Sequence, residues 1–124
     1  MVKGKKILVI DDDAIIRKAL GEIFEMKGFE VFMAEDGEKG LQAFQRERPE
    51  LVILDLVMPV MGGVECLEKI RAIDTQVQVI ILTGYGTDDQ LARVQQLGVM
   101  DVVRKGIGFV ACRFGNSILA STSG

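Results

Sequence analysis

The chain has 124 residues, 48% of them hydrophobic and 27% charged, which fits one compact unit with a real core and excludes a disordered composition. Fifteen basic against 18 acidic side chains give a net charge of -3 with no basic stripe, so direct nucleic-acid binding is not expected; no apolar run is long enough to span a membrane. The sequence holds no histidine, which excludes Ser-His and Cys-His catalysis and His-ligated zinc within the chain, and its two cysteines, Cys66 and Cys112, make neither a disulfide framework nor a metal spacing.

The start, Met1 to Lys6, runs straight into a strand pattern and lacks the apolar stretch of a signal peptide. With free thiols, that points to the reducing cytoplasm. Lys3, Lys5 and Lys6 read as the solvated edge of the first strand, Lys6–Ile10. A helix follows over Ala14–Met26, with Ile16, Leu20, Ile23 and Phe24 at helical spacing, an Asp from the run Asp11-Asp12-Asp13 as N-cap and Gly28 as stop. Glu30–Ala34 reads as a short second strand. Asp36-Gly37 opens a helix over Glu38–Glu47, with Leu41 and Phe44 inward, and Pro49 ends it. Leu51–Asp55 is a continuously apolar third strand, as a central parallel strand should be. A loop with Pro59 and Gly62-Gly63 leads to a helix over Val64–Ala72, then a fourth strand over Val77–Thr83. Thr87 and Gln90 match a capping box opening a helix over Asp88–Leu97, which Gly98 stops. Val99–Val103 is the fifth strand. From Gly106 the composition turns poor in helix formers, and a short or irregular helix over 110–120 is the expectation for the tail. Alternating strands and helices of these lengths predict an α/β fold: a doubly wound parallel sheet with right-handed crossovers.

Three of the strands end on oxygen-bearing side chains. The first runs into Asp11-Asp12-Asp13, the third stops on Asp55 and the fourth on Thr83, with Lys105 just after the fifth. Open α/β sheets bind ligands at this edge. Asp11, Asp12 and Asp55, set side by side, repel one another and call for a cation; oxygen-only ligands favour Mg²⁺ or Mn²⁺ over zinc or copper. Lys105 can neutralise phosphoryl oxygens, Thr83 can donate to one, and Gly84 would leave room for the group. Asp55, fixed at a strand end, is the best nucleophile. Each residue alone has a plainer reading: an acidic run caps a helix, and a Thr suits a strand. Their joint position on one βα pattern favours the site.

These segments resemble the receiver domain of two-component response regulators, of the single-receiver kind found in chemotaxis and sporulation phosphorelays. The matching stretches are Ile7–Asp13, Leu51–Pro59, Ile80–Gly84 and Asp101–Lys105. The similarity covers 5–105 of a chain read as a single receiver domain, 1–124, with an atypical tail over 106–124. The resemblance implies a flavodoxin-like five-stranded sheet of order 2-1-3-4-5. It implies that Asp55 accepts phosphate from a phosphohistidine of a sensor histidine kinase or phosphotransfer protein and switches a surface for a downstream protein or effector domain. Asp12 and Asp55 would ligate Mg²⁺ directly with the Val57 carbonyl, Asp11 largely through water, and Thr83 and Lys105 would contact the phosphoryl group.

The chain departs from the family pattern at three places. Gly106 follows the lysine where the family has Pro, so a trans, looser loop is expected. Val102 stands where an aromatic is common, and Tyr85 could take its part. The closing helix is atypical or missing, which leaves open a truncated or engineered tail, or a dimer through a rearranged one. A phosphorylation-independent protein-interaction module is the alternative function. A multiple-turnover phosphohydrolase is disfavoured because Val57 stands where such enzymes want a second Asp, and a flavin site because no Ser/Thr-Gly loop follows the first strand.

Overall fold

A computed structural model describes residues 5–84 and 86–105. In it five parallel strands, β1 (Lys6–Ile10), β2 (Glu30–Ala34), β3 (Leu51–Asp55), β4 (Gln78–Thr83) and β5 (Asp101–Arg104), form one sheet of order β2-β1-β3-β4-β5. Four helices alternate with them: α1 (Ala14–Met26), α2 (Gly37–Glu47), α3 (Gly63–Ile73) and α4 (Asp88–Leu97). This is the expected flavodoxin-like order. The closing-helix expectation, the tail, Tyr85, Gly106 and Cys112 lie outside the described residues.

Successive side chains of a strand point to opposite faces, so a strand covered on both sides must be apolar throughout. Leu8, Ile10, Val52, Leu54, Val79 and Ile81 face Phe44 of α2, Leu67 and Ile70 of α3 and Val94 of α4. Ile7, Val9, Leu51, Ile53, Ile80, Leu82 and Val103 face the other way, where Leu20 and Phe24 of α1 cover part of them. The register pairs Ile10 with both Ala34 and Leu54, and Asp55 with Leu82. The strands therefore end almost level, and the first residues past their apolar runs share one edge.

The helix starts follow the predicted chemistry. Asp13 accepts from Ile15 N and Asp36 from Lys39 N, while Thr87 and Gln90 exchange both capping-box bonds. Helices α2 and α3 each begin one residue earlier than their sequence patterns suggest. The fifth strand differs more: Val99 and Met100 are apolar enough to read as strand, yet the ladder with β4 begins only at Asp101, opposite Ile80. Val99 instead packs with the helix-side core, and Met100 N bonds the Val79 carbonyl at the strand's threshold.

Candidate functional site

The level strand ends bring Asp11, Asp55, Thr83 and Lys105 together. Asp11 is 1%, Asp55 2% and Thr83 2% exposed, unusual for two carboxylates and a hydroxyl. Lys105 Nζ donates to Asp11 Oδ1 and to Asp55 Oδ2, both at 3.2 Å. It also lies 3.0 Å from Asp11 Oδ2, an ion-pair contact without hydrogen-bond geometry, so that oxygen has no hydrogen-bond partner among the described residues. Thr83 Oγ1 is likewise buried and unpartnered. The Thr83 carbonyl accepts from Lys105 N at 3.0 Å, tying the ends of β4 and β5.

Backbone and neighbouring groups fix the two acids. Asp13 N donates to Asp11 Oδ1 at 2.9 Å, and Val57 N to Asp55 Oδ1 at 3.3 Å. Arg17 Nη1 donates to the Asp11 carbonyl at 2.7 Å, holding the turn between β1 and α1. Burial pushes the Asp11 carboxyl up to about 6, against the Asp13 amide and Lys105 and with help from the Asp55 charge. Burial likewise raises Asp55, opposed chiefly by Lys105. For Lys105 burial acts downward, but Asp11 and Asp55 outweigh it and hold the ammonium above its ordinary value.

Asp12, exposed, completes the set: one carboxylate oxygen from each of Asp11, Asp12 and Asp55 lies within 4.8 Å of the others. Among the described residues the cluster of three carboxylates has one ammonium bonded to it, Lys105, so it carries net negative charge. The all-oxygen donor set, the unpartnered Asp11 Oδ2 and the raised carboxyls fit a hard divalent cation. The arrangement offers an anchored carboxylate, a fixed ammonium and, on Thr83, a buried hydroxyl with no hydrogen-bond partner among the described residues.

Of the five side chains singled out in the sequence, Asp11, Asp12, Asp55 and Lys105 thus meet in one place, and Thr83 joins them through its carbonyl bond to Lys105 N. Val57 reaches Asp55 through its amide, with its side chain turned half to solvent, and Val102 is half-buried against the core on the α2–α4 face. At Gly84 a Cβ would meet, among the described residues, Lys105 Cδ at 3.9 Å. The glycine that matters is Gly63, where a Cβ would sit 2.2 Å from the Asp55 carbonyl oxygen and 2.6 Å from Leu56 Cα. Its only sequence signal is a second glycine at a helix start. Arg17 was also hidden, although it stands one helical turn after the capping Asp13. Between Asp55 and Gly63 the chain makes a tight turn: Met61 N bonds the Pro59 carbonyl at 2.8 Å around Val60, whose φ is 68°. This matches the γ-turn of positive φ, the rarer and strained form.

The family description for the response regulator receiver domain matches residues 7–111. Sporulation initiation phosphotransferase F of Bacillus subtilis is 40% identical over 97 residues, 78% of either chain. A probable transcriptional regulator, ycf27, of Cyanophora paradoxa is 38% identical over 104 residues, 84% of this chain; the chain spans only 43% of that protein. The crystal structure of a CheY-like response regulator receiver domain protein from Methanospirillum hungatei superposes with a TM-score of 0.84 at 26% identity, over 98% of this chain and 99% of the other.

Proposed function

The chain belongs to the response regulator receiver family, and from that premise we propose that it accepts a phosphoryl group on Asp55 from a phosphohistidine of a sensor kinase or phosphotransfer protein. The observation that carries this reading is the buried Asp55 carboxylate, held on one oxygen by Val57 N and on the other by Lys105. In the transfer the P–N bond of the phosphohistidine breaks as a P–O bond forms to an Asp55 oxygen. The departing imidazole nitrogen takes its proton from solvent.

The Asp11, Asp12 and Asp55 side chains, with the Val57 carbonyl, would hold Mg²⁺, or Mn²⁺ in its place. Bound there, the ion supplies positive charge to the carboxylates and to phosphoryl oxygens. The chain's own residues do the rest. Asp55 is fixed for in-line attack, Lys105 neutralises charge developing on the phosphoryl oxygens, and Thr83 Oγ1, which has no hydrogen-bond partner among the described residues, donates to one of them. Modification would draw Thr83 and Lys105 toward the new group and shift the β4–α4 and β5 side of the sheet, the route to a downstream protein or effector domain.

The test is intact mass measurement after incubation with acetyl phosphate and Mg²⁺. The full chain gains one phosphoryl group, and Asp55→Asn gains none. An unchanged gain in Asp55→Asn, or no gain in the parent, removes the reading.

A further inference from the structure

Asp11 follows the last residue of β1, the strand that lies between β2 and β3. In a parallel ladder a residue's N–H and C=O face the same neighbouring strand. Asp11 N finds the Ala34 carbonyl of β2 at 3.1 Å, but β2 ends at Ala34, and among the described residues no backbone amide meets the Asp11 carbonyl. Arg17, in the first turn of α1, fills that place with Nη1 at 2.7 Å. The guanidinium is half-buried in an acidic neighbourhood, yet among the described residues it makes no ion pair. Its charge reaches Glu35 only behind the hydrogen bond and charge of Lys39. A cation that bonds a neutral carbonyl beside so many carboxylates is acting on the backbone.

The backbone it acts on carries Asp12. The peptide unit is planar, so a fixed Asp11 oxygen also fixes the orientation of the Asp12 N–H. On the far side, Arg17 N donates to the Asp13 carbonyl at 3.0 Å, and Asp13 caps α1 through Ile15 N. Arg17 therefore grips the chain on both sides of Asp12, by its side chain before it and by its main chain after it. Of the three clustered acids, Asp12 is the one that needs this. Asp11 and Asp55 are buried, and each carboxylate is bonded to a backbone amide and to Lys105. Asp12 is exposed, and neither its carboxylate nor its peptide groups make a hydrogen bond among the described residues, yet one of its oxygens lies within 4.8 Å of those of its two neighbours. Like charges at that range repel and favour an outward Asp12. The grip on the flanking peptide groups keeps its Cα at the cluster.

We propose that Arg17 is a positioning residue for divalent-cation binding and acts through Asp12; the role rests on the cation site of the proposed function and not on Asp55 being the acceptor. The sign of the effect separates position from charge. A guanidinium that acted by its charge would repel an arriving cation, and its removal would tighten binding. One that places a ligand loosens binding when removed, typically by tenfold or more. The test reads Mn²⁺ binding to the full chain from the free-ion signal in electron paramagnetic resonance. R17M should bind about tenfold or more weakly than the parent. If R17M does not fold, R17K, which keeps a donor but not the planar fork, carries the same comparison with a smaller loss. An unchanged affinity overturns the proposal, and a tighter one does so in favour of a charge effect. In D12N the further substitution R17M should cost little, because a residue that acts through Asp12 has little left to lose without it; losses that simply add overturn the proposal. Acetyl phosphate labelling of R17M should need about tenfold more Mg²⁺ for half its maximal rate, with the rate at saturating Mg²⁺ changed far less. A fall in the saturating rate alone places Arg17 in the acceptor chemistry and overturns the positioning role. A parent that binds Mn²⁺ but gains no mass sinks the acceptor reading and leaves the Arg17 role standing, whereas a parent that binds no Mn²⁺ overturns the Arg17 role.

Discussion

The two edges of the sheet are built on opposite terms. At the amino edge polar groups find partners. Arg71, in the last turn of α3, donates to four carbonyls: Leu97 at 3.0 Å, Asp74 at 3.3 Å, Val77 at 2.7 Å and Gly98 at 2.6 Å. Asp74 Oδ1 accepts from Gln76 N and Val77 N, and Glu50 accepts from Lys6 N. At the carboxyl edge two buried acids are raised by burial, and Asp11 Oδ2 and Thr83 Oγ1 lack hydrogen bonds among the described residues; positive φ occurs on both sides, at Val60 here and at Arg48 where α2 ends by the amino edge. One edge joins the strands and helices; the other keeps unmet interactions that a cation and a phosphoryl group can meet. Buried polar groups without protein partners are what a ligand site offers.

The largest expected effect lies at the amino edge. Arg71→Ala strips four carbonyls of one shared donor, some of them partly buried. Bonds to a charged donor are worth more than neutral ones, and water can replace only the exposed share, so the loss should be about 3 kcal/mol. Thermal unfolding would show it as a fall in Tm of roughly 10 °C or more. Arg71→Lys should recover only a small part, since one ammonium cannot reproduce the planar fork. A loss below about 1 kcal/mol would mean that the amino edge is not held by this clamp, and the contrast between the edges would lose its main support.

How the two edges were legible in the sequence differs for a physical reason. The strands and Asp11, Asp55, Thr83 and Lys105 were readable because each is a local event, an apolar run that stops on a polar side chain at the same edge of the sheet. The clamp was not. Arg71 in a last helical turn reads as a partner for the helix dipole, yet two of its carbonyl targets lie 26 and 27 residues away. Gly63 and Val60 were hidden for a related reason. The one is required by the approach of the Asp55 backbone and the other is constrained by the turn that follows it, and neither has a pattern in the sequence. Val99–Met100 misled in the opposite direction, because apolar content marks burial and only the ladder decides which buried residues are strand.

The next effect turns on pH. Asp11 is held near 6 in the fold against an ordinary value of 3.8, so between these limits the folded protein binds more protons than the unfolded chain. Its contribution to stability is therefore greatest below about pH 4 and is lost as pH rises through 6, in the absence of divalent cation. Asp55 shifts in the same direction, whereas the exposed Glu35 and the half-buried Glu47, both lowered by cationic neighbours, act in the other. Comparing the parent with Asp11→Asn isolates the one group. Without metal, the variant should gain about 1–3 kcal/mol on the parent between pH 4 and pH 7. At pH 7.5, Mg²⁺ should raise the Tm of the parent and do much less for Asp11→Asn, since a cation that binds only the folded state stabilises it. Parallel pH profiles for the two proteins would show that the buried carboxylate is not under stress and that the carboxyl edge is as well satisfied as the amino edge.

The smallest effect tests strain in the loop itself. A β-branched residue at φ 68° costs about 1–2 kcal/mol, and with Val60 79% exposed little burial offsets it. The turn persists because both sides are pinned: Pro59 fixes its own φ, and Gly63 is packed on the Asp55 and Leu56 backbone. Asn tolerates positive φ and frees the unfolded chain less than Gly does, so Val60→Asn should stabilise the protein by about 1 kcal/mol and Val60→Gly by less. Urea unfolding should show the midpoint moving up with an unchanged m-value, the mark of a change in stability rather than in compactness. If both substitutions lower the midpoint, the exposed valine is held by favourable contacts, and the strain assigned to the carboxyl edge reduces to its buried carboxylates and hydroxyl. If both raise it while acetyl phosphate labelling of Asp55 keeps its rate, the strain is separable from the acceptor's chemistry and is available to be spent on whatever docks against the loop.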